Sequence, residues 1–129
     1  MTVADQIWNR AATEAGGELP GPGDRALAAL LLAHGLVMNG GVHHALECME
    51  PTELVAAIDG YSFFGLHDVA DWVGSSTTDP VLASWTDETE AAANQRYEVM
   101  VPGDDRLVDL FEAVLCQRPE AFAPIEQHG

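Results

Sequence analysis

The chain has 129 residues, with 21 acidic side chains against 5 basic ones and a formal net charge of −16. That length suits one domain, residues 1–129, which can bury roughly two-thirds of its unfolded surface without a metal or a disulfide. A field of this sign repels nucleic acid and anionic membrane, so it excludes direct binding to either and favours encounter with a basic protein.

All five basic residues are Arg, and the apolar content of 47% is that of an ordinary globular protein. No apolar run reaches ~18 residues without a break, so no membrane span is expected. The N-terminus, MTVADQIWNR, carries Asp5 and lacks a basic region followed by an apolar core. It does not read as a signal peptide, and the expected location is the cytoplasm. Cys48 and Cys116 lie far apart, which in a cytosolic protein points to buried thiols rather than a bridge.

Thr2 with Asp5 forms a capping-box pattern, and Val3, Ile7, Trp8, Ala11 and Ala15 follow it at helical spacing. Gly16-Gly17 ends that helix, and GGELPGPG is a loop. Asp24 is a candidate N-cap for a central helix over about 24–38. That helix is apolar nearly all the way round, so neighbours are expected on every side of it. Asn39-Gly40-Gly41 reads as its stop and as a sharp corner. Val42 to Met49 starts a second helix, which carries His43 and His44. Pro51 opens a third, with Leu54, Val55 and Ile58 on its apolar side, ending at Asp59-Gly60.

Tyr61, Phe63 and Phe64 cluster before Gly65. Leu66, Val69, Ala70 and Val73 mark a short helix, with Trp72 beside them, and Gly74 to Thr78 is a polar loop. Asp79-Pro80 opens a helix carrying Leu82 and Trp85, which breaks at Thr86 or runs on through Tyr97 to Met100. Asp104 caps the clearest amphipathic helix. Leu107, Leu110, Phe111, Val114 and Leu115 form its apolar side, with Asp105, Asp109 and Glu112 opposite. Arg118-Pro119 ends it, and one last turn reaches Phe122. No alternating strand pattern appears. The fold class is therefore all-α: a compact single-domain bundle of six or seven short helices around the buried central helix.

An apolar helix ending in Asn39-Gly40-Gly41, a helix around Ala56–Ile58, the Gly65 turn, the Tyr97 segment and the closing Arg118-Pro119-Glu120-Ala121-Phe122 follow one another in order. This pattern resembles the DNA-mimic protein family, small acidic all-helical bacterial proteins largely of unknown function. The resemblance spans about residues 27–122. Where family members usually carry aromatics after the Gly-Gly pair, this chain has Val42 and Ala45-Leu46. The resemblance implies an acidic face that occupies the nucleic-acid-binding surface of a DNA-binding protein.

Two chemistries compete for the function. The first is an acidic interaction module. Asp105, Asp109 and Glu112 repeat about every ~6 Å along their helix, whereas duplex DNA carries one charge per ~1.7 Å of axis. One stripe is thus too sparse to imitate DNA. Asp87, Glu88 and Glu90, then Glu47, Glu50 and Glu53, or a homodimer, would supply the missing density. An immunity-type inhibitor of a basic toxin belongs to the same physical class. The alternative is a small metal-binding protein or hydrolase built on His43, His44, Glu47 and His67. His43 and Glu47 stand one helical turn apart, as do His67 and Asp71, and packing of the two helices would let the set converge. That set lacks the His-Glu-x-x-His order of a zincin, and the chain has no nucleophile elbow, phosphate loop or Cys-x-x-Cys. The reading is no enzyme and no cofactor, with His34 a satisfied core group.

Overall fold

The computed structural model describes residues 2–76 and 85–125. Among them lie six α-helices, one 3-10 turn and no strand, the all-α architecture expected. The helices are α1 (Val3–Glu14), α2 (Pro22–Cys48), α3 (Pro51–Phe63), α4 (His67–Ser76), α5 (Asp87–Met100) and α6 (Asp104–Gln117), with the 3-10 turn at Pro119–Ala121. The expected helix opening at Asp79-Pro80 and its Leu82 lie outside the described residues.

The capping box of α1 forms as read: the Asp5 N–H donates to Thr2 Oγ1 at 3.0 Å, and the Thr2 N–H donates to Asp5 Oδ2 at 3.1 Å. Hydrogen bonding from the Thr2 backbone N–H, and next from the Thr2 side chain, holds the Asp5 carboxyl below the usual carboxylate range. Ala15, at φ 50°, closes the helix just ahead of Gly16-Gly17.

The central helix is longer than expected and is not covered all round. It runs from Pro22 to Cys48 without a stop at Asn39. Its corner lies at Gly41 (φ 93°, ψ 173°), where the two arms of α2 meet at a kink. At that φ and ψ a side chain is strongly disfavoured, which explains the glycine. The break also frees the Val42 N–H, which donates to Asn94 Oδ1 of α5 at 2.9 Å. Gly41→Ala is expected to cost about 2 kcal/mol, since the backbone must leave this region and Asn94 must move from 3.0 Å. Urea unfolding would measure it, and an unchanged midpoint would refute this account of the kink.

By length and composition alone α2 is long and apolar enough to cross a membrane, a test that the core helix of a globular domain also passes: 27 residues, with mean hydropathy 1.4 over an 18-residue window. A count of unbroken apolar residues does not single this helix out, because isolated polar positions interrupt the run without lowering its average much. In the structure α1, α3 and α5 pack against it. Leu27, Leu30 and Ala33 are buried, while Leu32 is 42% exposed. Three flanking helices leave the side between α1 and α3 open.

Asp24 is not the N-cap of α2. Gly21 is, and Asp24 stands in the first turn with its carboxylate fully buried (0% exposed). Oδ2 accepts from the Gly21 N–H at 2.9 Å and the Ala123 N–H at 2.7 Å, and Oδ1 accepts from Arg10 Nη2 at 2.8 Å. The same guanidinium donates to the carbonyls of Ala123 and Pro124. One ion pair thus ties α1, the start of α2 and the C-terminal segment together.

Gly60 does not end α3, which continues to Phe63. The glycine is buried against α2, where a Cβ would stand 2.5 Å from the Ala26 carbonyl oxygen. It marks a close helix approach rather than a stop. Similarly, α4 runs on through Gly74 to Ser76, whose hydroxyl donates to the Trp72 carbonyl at 2.8 Å. A new helix, α5, starts after Thr86, which caps it. Gly103 rather than Asp104 is the N-cap of α6. Phe111 of α6 anchors the core against Trp8, Phe64 and Phe122, with ring centroids 5.7, 6.4 and 5.6 Å away. Both cysteines are free and exposed rather than buried. Cys48 ends α2 beyond the core, and Cys116 falls on the acidic side of α6.

Candidate functional site

The nine acids singled out from the sequence fall in three places. Asp105, Asp109 and Glu112 are exposed on α6. At ~100° per residue they lie within about 60° of one another, and Arg106 is about 60° off their stripe. None of the three joins an ion pair among the described residues. Glu112 and Asp5 of α1 flank the same shallow hollow, so α1 extends this face by one carboxylate.

The second place is where α2 meets the start of α5. His43 Nδ1 lies 2.7 Å from Glu90 Oε1, and its Nε2 lies 3.0 Å from Glu47 Oε1. Its ring stacks on Trp85, centroids 4.6 Å apart at 12°. Glu90 is therefore turned inward and half-buried, unlike its exposed neighbours Asp87 and Glu88. A carboxylate only accepts, so both bonds form together only when the ring carries both protons. The third place is the start of α3, where Glu53 Oε1 accepts from the Glu50 N–H at 2.9 Å. That carboxylate serves as a cap before it serves any partner. Glu90 lies in the first turn of α5, whose 14 residues extend about 21 Å, and α6 starts beyond the other end of that helix.

Cations are largely occupied. Arg10 is tied to Asp24 inside the fold. Arg96 lies 5.4 Å from the Trp72 ring centroid and Arg118 lies 5.0 Å from that of Phe63, both as cation–π pairs. Only Arg25 and Arg106 are exposed without such an engagement among the described residues.

The histidine set considered for a metal is not brought together. His43 is held by two carboxylates, His44 lies against Cys48 Sγ at 3.6 Å, and His67 Nδ1 pairs with Ser62 Oγ at 3.0 Å. Among the described residues no group of His, Cys, Asp and Glu is arranged to hold a metal ion.

His34 is buried and fully partnered. Its Nε2 lies 2.7 Å from Asp104 Oδ1, and Nδ1 lies 2.8 Å from the Tyr97 hydroxyl, which is 2.8 Å from that of Tyr61. Asp104 is 77% exposed, so the chain of bonds leads from the surface into the core. Desolvation raises the Tyr61 hydroxyl to about 12, and raises Tyr97 further, with Tyr61 beside it adding to the effect. No signal in the sequence paired these residues, which lie 36 to 70 positions apart.

A groove of about 650 Å³ runs along the open side of α2, between α1 and α3. Ala11, Ala12 and Ala15 wall it on one side, Glu53 and Ala56 on the other, with Leu32 and Gly35 on its floor. Its residues read in the sequence as parts of three separate helices, and only their packing makes a groove. No family model, curated protein or solved structure matches this chain.

Proposed function

We propose that this protein is an acidic interaction module that occupies the basic surface of a partner, in the manner of a DNA mimic. The observation that carries the reading is the uncompensated stripe Asp105, Asp109 and Glu112 on a helix held rigidly by Phe111. With Arg10 and Asp24 paired inside, 20 acids and four arginines remain outside that pair. Such a field steers cationic partners to the surface at rates that fall with ionic strength. The stripe alone is too sparse for the charge density of a duplex, and Asp5 beside Glu112 raises it only locally. The partner surface that fits is therefore a patch of a few Lys or Arg residues rather than a full DNA groove.

The test is capture of partners from a bacterial lysate at low salt, with identification of the bound proteins. Basic proteins, displaced by duplex DNA, are the expected result. Neutral or acidic partners would sink the reading. With a captured partner, Asp105→Asn, Asp109→Asn and Glu112→Gln together should slow association by roughly tenfold at low salt. The difference should shrink at high salt, and circular dichroism should show the helices unchanged.

A further inference from the structure

We infer that the groove between α1, α2 and α3 seats a cationic amphipathic helix of the partner protein. This rests on the proposed acidic reading and adds to it a place and a shape. The central helix is apolar on every side, yet only 28% of its most apolar window is buried. The uncovered part includes Leu32 and Gly35. An apolar helix face left open beside a concave groove is the usual receptor for the apolar side of another helix. Ala12, Ala15 and Ala56 are small, so a visiting helix can approach the backbone closely.

Charge selects the occupant. A second copy of the chain would bring another −16 and be repelled. A helix with Lys or Arg flanking its apolar stripe meets the opposite field, with Glu53 as the acid in the groove wall. Arg25, exposed near the start of α2, is the nearest cation on that helix. It would favour a visiting helix whose positive charges lie towards the Glu53 end.

The test uses two peptides of ~14 residues with identical Leu and Lys content. One has Leu at helical spacing and the other is scrambled. Fluorescence anisotropy should show the patterned peptide binding about tenfold tighter, the factor expected from seating one further apolar side chain. Gly35→Leu should remove that advantage. A Cβ at Gly35 meets nothing within 4 Å, so the new side chain has room to start into the groove, and circular dichroism should show the helices unchanged. If both peptides bind equally and Gly35→Leu has no effect, the groove proposal falls and the acidic reading stands. If neither shows salt-sensitive binding, the acidic reading itself falls. A dimer in sedimentation that Gly35→Leu dissociates, or Gly35-dependent binding to zwitterionic vesicles, would overturn the proposal by giving the groove another occupant.

Discussion

Asp24→Ala should destabilise the fold by about 3–5 kcal/mol, because it removes one partner of a buried ion pair and strands the other. The Arg10 side chain is 15% exposed, and its Nε already lacks an acceptor among the described residues. Without Asp24 its charge would be left with only the Ala123 and Pro124 carbonyls. The Gly21 and Ala123 N–H groups would also lose their acceptor. Denaturant unfolding measures the loss, and for a chain of this length it corresponds to a fall in Tm of roughly 12–20 °C. Substituting both residues by apolar ones of similar size should recover much of the loss, because no charge then remains buried. Should Asp24→Ala unfold at the wild-type midpoint, the pair does not hold the termini to α2. The consequence for function is direct, since α1 is both a wall of the groove and the bearer of Asp5.

How much of this was legible in the sequence depended on whether a residue's partner was local. The amphipathic pattern of α6 gave its boundaries to within a residue, because Leu107 and Phe111 face the core for reasons contained in their own helix. Thr2 and Asp5 were legible for the same reason. Asp24 was not: besides the local Gly21 N–H, its partners lie 14 residues earlier and 99 residues later, and a carboxylate near a helix start reads equally as a cap. Gly60 read as a stop because glycine breaks helices in isolation, while here it lets α3 approach the Ala26 carbonyl. The same limit applies to the candidate site. Exposure of the α6 stripe followed from periodicity. The inward turn of Glu90 is half legible, since it shares a helix face with Ala93 and Tyr97, but its partner His43 stands on another helix, which periodicity does not contain. The open side of α2 was misread as covered, because an all-round apolar helix implies neighbours but does not count them.

Tyr97→Phe should cost about 2–6 kcal/mol, since one hydroxyl serves two buried groups at about 1–3 kcal/mol each. In the neutral imidazole, Nε2 donates to Asp104, so Nδ1 accepts from the Tyr97 hydroxyl, which accepts from Tyr61. Removing that hydroxyl leaves Nδ1 without a donor and Tyr61 without an acceptor. Adding Tyr61→Phe should then cost less than the two single changes combined, because the orphaned Tyr61 hydroxyl goes with it. Strict additivity in this cycle would show that the hydroxyls are not coupled. The same pair should make the fold less stable at alkaline pH. Tyr61 ionises at 10.0 in the unfolded chain but only at about 12 in the folded one, and Tyr97 is raised in the same direction. The unfolded state therefore releases protons first. Stability is unaffected below pH 10 and falls as pH rises above it, by about 1.4 kcal/mol per pH unit for each tyrosine that ionises only on unfolding. Absorbance titration of the tyrosines, followed alongside helicity, should show their ionisation coinciding with loss of structure. Ionisation of both near pH 10 with the helices intact would mean that the hydroxyls are open to water, and the link from Asp104 through His34 to the core would not exist.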